Sequence, residues 1–175
     1  MVENAPRGFD MKQLCDTLDA ERSRRGLSWK ELTAEINKPF EGTPSIPITV
    51  GTIRMMLTRK AVTSAVALQV LRWLRRSPES FLVGRDAPPH REEALPDPGP
   101  GRILRFDTRV LYATLNEERN KRGLTWKQLA AELPGFTENM LTNLSTGPLI
   151  GFPQVMVLTQ WLRRPAVSFV RAYSR

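Results

Sequence analysis

Residues 106–133 read FDTRVLYATLNEERNKRGLTWKQLAAEL, and residues 9–36 read FDMKQLCDTLDAERSRRGLSWKELTAEI. Fifteen of these 28 positions are identical, at a constant offset of 97 residues. The match resumes downstream, where LRWLRRSPESF at 71–81 aligns with TQWLRRPAVSF at 159–169 at an offset of 88. The nine-residue difference falls within NKPFEGTPSIPI, so residues 39–47 are an insertion in the first copy. Self-similarity on this scale means two copies of one fold. A chain of 175 residues has room for two small domains.

Each copy reads as a run of short helices. In the second, Leu111 and Leu115 begin a buried stripe that Gly123 interrupts, with Lys121 and Arg122 in the last turn to suit the helix dipole. Thr125, with Gln128 three residues on, forms a capping box for WKQLAAEL, which Pro134 and Gly135 end. Thr137 caps a third helix, ENMLTNLS, which stops at Gly147 and Pro148. A fourth covers residues 152–164, and Pro165 opens a short fifth piece. The first copy repeats the order over residues 10–25, 28–37, 49–59 and 64–76. Strand signals are absent, so the expected fold class is all-α, with two bundles of four to five helices. Their domains would be residues 1–84 and 105–175.

Between them, residues 85–104 read as a linker. The stretch VGRDAPPHREEALPDPGPGR, residues 83–102, holds five prolines and three glycines and has no helical period. Its flexible-coil span is roughly 25 Å, and it extends to roughly 60 Å as polyproline II. His90 lies in it and carries no catalytic expectation. The 39–47 insertion is expected to loop out, to reach a backbone or block a groove, and to be removable without loss of the four helices.

Charge supplies the first functional clue. Lysine plus arginine number 26 against 18 acidic residues, a net charge of +8. The isoelectric point is near 10.4. Residues 1–82 carry 13 basic and 9 acidic side chains, and residues 105–175 carry 10 and 5, whereas the segment between is slightly acidic. The excess follows the duplication, which points to a polyanionic partner shared by both domains. One cysteine, Cys15, and one histidine exclude an intramolecular disulfide framework and a Cys/His zinc site. No Gly-rich phosphate loop, metal-ligand spacing or nucleophile elbow is present, so neither enzymatic activity nor a cofactor is expected. No apolar run is long enough for a membrane span and no secretory signal is visible, so the expectation is a cytoplasmic protein.

The stretch RGLTWKQLAAELPGFTENMLTNLSTG resembles the helix-turn-helix core of phage-repressor and Cro-type DNA-binding domains, the xenobiotic-response-element-type class. Arg119, Gly123, Leu124, Thr125, Leu129, Ala130, Gly135, Thr137, Leu141, Leu144 and Gly147 carry the likeness without a gap. In the first copy it runs through Arg22, Gly26, Leu27, Ser28, Leu32 and Ile36 and resumes at Ile48, Thr49, Ile53 and Met56. The resemblance implies two lambda-repressor-like bundles that bind double-stranded DNA, with the second helix of each crossing the phosphate backbone and the third lying in the major groove. The base-facing positions it implies are Glu138, Asn139, Met140, Thr142 and Asn143, capped by Thr137, and Val50, Gly51, Thr52, Arg54 and Met55, capped by Thr49. Asparagine can pair with adenine, arginine with guanine, glutamate with the cytosine amine, and apolar groups with thymine methyls.

Lys30 and Lys127 are the expected phosphate contacts, with Trp29 and Trp126 beside them open to either a phosphate bond or packing. Arg59 and Lys60 follow the first reading helix. Trp73 and Trp161 are read as packing residues, Arg75, Arg76, Arg163 and Arg164 as caps on the fourth helix, and Phe81 and Phe169 as closing each bundle. Cys15 is read as half-buried and inert. Of Met55 and Met56, one should be core and one exposed. The expected activity is transcriptional regulation by a chain acting as a covalent pseudo-dimer, its half-sites about 34 Å apart and within the linker's reach; the sequence leaves the oligomeric state open, a two-domain monomer being one possibility. The alternative is a protein-interaction module, scaffold or antitoxin-like, that kept the fold and binds a protein partner.

Overall fold

The computed structural model describes residues 6–59, 63–83, 94–97, 99–146 and 151–173, so His90, Lys60 and Gly147–Pro148 lie outside the described residues. The chain is mostly helical and broadly all-α. Four helices come from the first copy: α1 (Met11–Arg24), α2 (Trp29–Asn37), α3 (Val50–Arg59) and α4 (Ser64–Leu74). Four come from the second: α5 (Thr108–Lys121), α6 (Trp126–Glu132), α7 (Glu138–Thr142) and α8 (Phe152–Leu162). Short 3-10 turns follow the last helix of each copy, at Pro78–Phe81 and Ala166–Phe169. Among the described residues no helix is long and apolar enough to cross a membrane.

Local chemistry explains the boundaries. Asp10 and Asp107 accept from the backbone N–H groups of Gln13 and Val110 and so cap α1 and α5. Gly26 and Gly123, both at φ +66°, end these helices in the left-handed turn that glycine adopts without strain. Both capping boxes form: Ser28 and Glu31 bond each other's backbone N–H at the start of α2, and Thr125 and Gln128 do the same at α6. The fourth helices end on Arg75 and Arg163, both at φ +56°.

Two short strands depart from the all-helical expectation. β1 (Ile103–Phe106) pairs antiparallel with β2 (Val170–Tyr173), with Leu104 opposite Ala172 and Phe106 opposite Val170. The first copy keeps a vestige of the same pairing, a bridge between Phe9 and Leu82. Asp10 N–H donates to Phe81 O at 2.7 Å, and Asp107 N–H to Phe169 O at 2.8 Å. Each copy thus closes on itself by tying its entry segment to its exit. Four residues per strand leave too little alternation to register as a sequence pattern.

The linker reading is corrected in its second half. Ile103 and Leu104, placed in the linker, are buried strand residues. Arg72 donates to Arg102 O, Gly99 O and Asp97, and Gly101 N–H donates to Pro39 O, so Asp97 and residues 99–102 lie against the first copy. Nor are the copies separate bundles on a tether. One apolar cluster runs from Leu14, Leu18, Leu32 and Ile53 through Leu68 and Leu71 into Leu104, Phe152, Met156 and Val170. A second cluster fills the rest of the second copy around Leu111, Leu115, Leu129 and Leu141. Fixed packing, not linker reach, sets the relation of the copies.

The copies pack through equivalent elements. α4 contacts α8, and the two exit turns contact each other. Thr63 bridges Gly151, its own equivalent at the offset of 88. A pair of equivalent residues in contact lies on a pseudo-twofold axis. The entry segments cross reciprocally: Arg7 exchanges both backbone bonds with Gln160 of α8, and Leu104 O accepts from Gln69 of α4.

The insertion also departs from expectation. Its base is structural: Lys38–Phe40 forms a 3-10 turn, and Phe40, 3% exposed, joins the core. The Asn37 side chain donates to Ile48 O and accepts from Ile48 N–H, which clamps the ends together. Only the tip, with Ile46 88% exposed, projects. Cys15 is fully buried rather than half-buried, and burial pushes its thiol up to about 11, so it stays protonated at neutral pH. Met56 is core and Met55 exposed, and Phe81 and Phe169 are buried, as the sequence predicts.

Excision of residues 39–47 would remove Phe40 and is expected to unfold the first copy. In urea melts, Phe40→Ala should cost about 3–5 kcal/mol. Ile46→Ser should change stability by no more than about 0.5 kcal/mol. Equal effects would show that the tip is anchored as firmly as its base.

Candidate nucleic-acid interface

The surface in question is built on α3 and α7 and on the starts of the helices before them. α3 begins at Thr49, whose hydroxyl accepts from Thr52 N–H at 3.1 Å. α7 begins at Thr137, which accepts from Met140 N–H at 3.3 Å. Ile53 and Met56 pin α3 to the core, as Leu141 and Leu144 pin α7 and its extension. The opposite faces stay open: Gly51, Arg54 and Met55 on α3, and Glu138, Asn139 and Asn143 on and after α7.

The two helices differ in length. α7 tightens into a 3-10 turn at Asn143–Thr146, short of the full ENMLTNLS helix. Hydroxyls explain this: Thr142 donates to Glu138 O and Asn139 O, Ser145 to Thr142 O, and Thr146 to Asn143 O. Such local bonds compete with the helical ladder. They also engage the Thr142 hydroxyl, as the bond between the Thr49 and Thr52 hydroxyls engages Thr52. Met140 is half-buried against the core and Val50 is half-buried. Of the expected base-facing set, Gly51, Arg54, Met55, Glu138, Asn139 and Asn143 are the open positions, and all but the glycine offer a side chain. The Arg59 side chain, like Lys60, lies outside the described residues.

Trp29 and Trp126 resolve toward packing. The guanidinium of Arg22 sits 4.5 Å from the centre of the Trp29 ring, and that of Arg119 sits 4.6 Å from Trp126, whose other contact is stacked Tyr112. The same arginines donate to Leu27 O and Leu124 O, the first carbonyls after the glycine turns. They fasten α1 to α2 and α5 to α6. Trp73 and Trp161 do parallel work one layer on. Their indole N–H groups donate to Glu35 and Glu132, and Arg25 and Arg122 cover their rings at 4.5 and 4.2 Å. The signal for these brackets was present in the sequence as Arg, Trp and Glu recurring at the repeat offset.

This separates two classes of cation. Arg22, Arg24, Arg25, Lys121 and Arg122 are tied to acids on their own helices or just before the glycine turn. Hydrogen bonds from Arg24 and Arg25 hold the Glu21 carboxyl down to about 2. Lys30, Arg54 and Lys127 are exposed and have no ion pair among the described residues. They stand at the start of α2, on α3 and at the start of α6. No group of three or more His, Cys, Asp or Glu residues is placed to hold a metal among the described residues.

Comparison with protein families, characterised proteins and solved structures returned no match. The functional reading therefore rests on residues and geometry.

Replacing a bracket arginine should harm the fold, and replacing an open lysine should not. Arg119→Ala is expected to lower the unfolding free energy by about 1–3 kcal/mol through the lost carbonyl and ring contacts. Lys127→Ala should change it by no more than about 0.5 kcal/mol. Denaturant titration of both variants checks the pair.

Proposed function

We propose that the protein is a sequence-specific double-stranded DNA-binding regulator. Each copy acts as a helix-turn-helix module of the phage-repressor and Cro type, and the pair acts as a pseudo-dimer on one site. The observation that carries the reading is the presence, at equivalent points of the two copies, of two threonine-capped helices with open faces. Each follows a helix whose start presents a free lysine, in two copies that meet at the equivalent residues Thr63 and Gly151. Two readers related in this way suit the local dyad of duplex DNA.

In this reading Lys30 and Lys127, with the starts of α2 and α6, hold phosphates and fix register. Arg54 pairs with guanine N7 and O6, and Asn139 and Asn143 with adenine. Met55 meets a thymine methyl, and Glu138 accepts from a cytosine amine. Trp29 and Trp126 act indirectly, by orienting the helix starts beside the lysines. The rival, an interaction module, draws its support from Glu138 on the open face and from the protruding Ile46.

Binding to a selected duplex should weaken steeply with salt, with log K falling by about 0.9 per log unit of salt for each phosphate held. Lys30→Ala and Lys127→Ala should each make that slope shallower by about 1. Arg54→Ala should cost about 1–3 kcal/mol and relax preference at one base position. Filter or fluorescence titration over a salt series reads all three effects. No duplex binding at low salt would select the interaction module.

The preferred site should be asymmetric, because Arg54 and Met55 occupy one reader while Glu138, Asn139 and Asn143 occupy the other. Binding-site selection should return unlike half-sites bound by one chain. A perfect palindrome occupied by two chains would defeat the pseudo-dimer reading.

A further inference from the structure

The halves meet through equivalent elements but through unequal residues. On the axis Thr63 faces Gly151. One position on, buried Ser64 in α4 is matched by buried Phe152 in α8, and Phe9 sets its ring edge-on to Phe152 at 4.6 Å. At the exit turns, Ala166 N–H donates across the interface to Glu79 Oε1 at 2.6 Å, and Glu79 is only 1% exposed. At the offset of 88, the equivalent of Glu79 is Val167 and that of Ala166 is Pro78. The mirror-image bond cannot exist, because valine offers no side-chain acceptor and proline has no N–H.

We infer that this divergence makes the interface strictly heterotypic. The first half accepts the second half and rejects another first half, so the chain closes on itself and does not pair like halves with a second copy. Two first halves together would set each Glu79 against Pro78 and deprive it of the Ala166 donor. Phe9 would meet Ser64, leaving a void where the Phe152 ring stood. Two second halves would turn each Ala166 N–H toward Val167 and place glycine against glycine on the axis. Every like pairing therefore loses a buried hydrogen bond or a filled volume that the unlike pairing keeps. Discrimination of this kind arises from contacts spoiled in the wrong pair as much as from those made in the right one. The inference does not depend on what α3 and α7 bind.

The axial pair gives a direct test on the full chain. Two residues facing each other in an antiparallel bridge are close enough for a disulfide. Gly151 has φ −65° and room for a Cβ, whose nearest neighbour would be the end of the Gln154 side chain at 3.4 Å. Thr63→Cys with Gly151→Cys, refolded from urea and mildly oxidised, should give a monomer with an internal disulfide. Thr63 is exposed in the closed chain, so Thr63→Cys alone, across a concentration series, should give no more disulfide-linked dimer than Ile46→Cys, an exposed position away from this contact, because only a like pairing would hold two residues 63 together. Adding Glu79→Val to Thr63→Cys removes the acceptor that penalises like pairing, and the linked dimer should appear. Adding Glu79→Gln, which keeps an oxygen acceptor, should not produce it. A Thr63→Cys single variant that links through position 63 in clear excess of the Ile46→Cys variant overturns the inference. So does a Glu79→Val background that yields no more dimer than Glu79→Gln does. Should the valine variant fail to fold, the single variant still decides.

Discussion

The packing of α4 against α8 constrains everything else in the molecule. Both helices are buried over most of their length, with Leu68, Leu71, Val155, Met156 and Leu158 at zero exposure. Helices of 11 residues are marginal alone and take their stability from tertiary packing. Here the partner is the equivalent helix of the other copy. The reciprocal crossing of Arg7 onto α8 and Leu104 onto α4 ties each entry segment to the opposite copy. Orientation of the two open faces therefore follows from core packing, and a linker that could span many distances is not asked to choose one.

A second consequence concerns how a basic protein distributes its charge. Most of its helix-terminal arginines are engaged in holding the fold. In each copy one arginine spans a tryptophan ring and the carbonyl after the glycine turn, and a second covers the tryptophan of the fourth helix. A guanidinium does this because it is planar, presents several donors and stacks on aromatic faces, which a lysine ammonium cannot reproduce. The lysines at the starts of α2 and α6, by contrast, sit open. Net charge alone thus overstates the cation available to a polyanion, and Lys30, Arg54 and Lys127 are among the exposed cations that have no ion pair among the described residues.

The helices, their caps and the buried stripes were legible in the sequence because each rests on short-range chemistry: Asp10, Ser28, Thr125 and Thr137 at starts, Gly26 and Gly123 at stops. The strands were not, since four residues at the end of a linker carry no period, and their pairing joins the two ends of the second copy. Phe40 was misplaced for a related reason. An insertion rich in proline and glycine reads as a loop, and nothing local announces that its one aromatic residue turns back into the core. The closing Asn37 clamp reaches 11 residues ahead, beyond any capping motif. For the candidate interface, the sequence selected the two helices but could not separate Met140 and Val50, which are half-buried, from Asn139 and Arg54, which are open. That distinction depends on helix rotation, and in α7 on the hydroxyl bonds that shorten it.

Comparison of the copies with each other sorts their residues by physical role. Positions that stay the same include Arg22 and Arg119, Gly26 and Gly123, Trp29 and Trp126, Glu35 and Glu132, and Trp73 and Trp161. All of them build brackets, stops or cross-helix bonds inside one copy. Positions that differ include those on two surfaces: the open faces of α3 and α7, and the seam where Thr63, Ser64 and Glu79 meet Gly151, Phe152 and Ala166. A bracket has the same task in either copy and gains nothing by changing. A seam gains by changing, because unlike sides can be matched to each other and mismatched to themselves. Once the seam has fixed which copy sits on which side, the open faces are free to differ as well, since each always occupies the same position in the pair. Heterotypic packing is in this sense the physical condition for two unlike open faces in one chain.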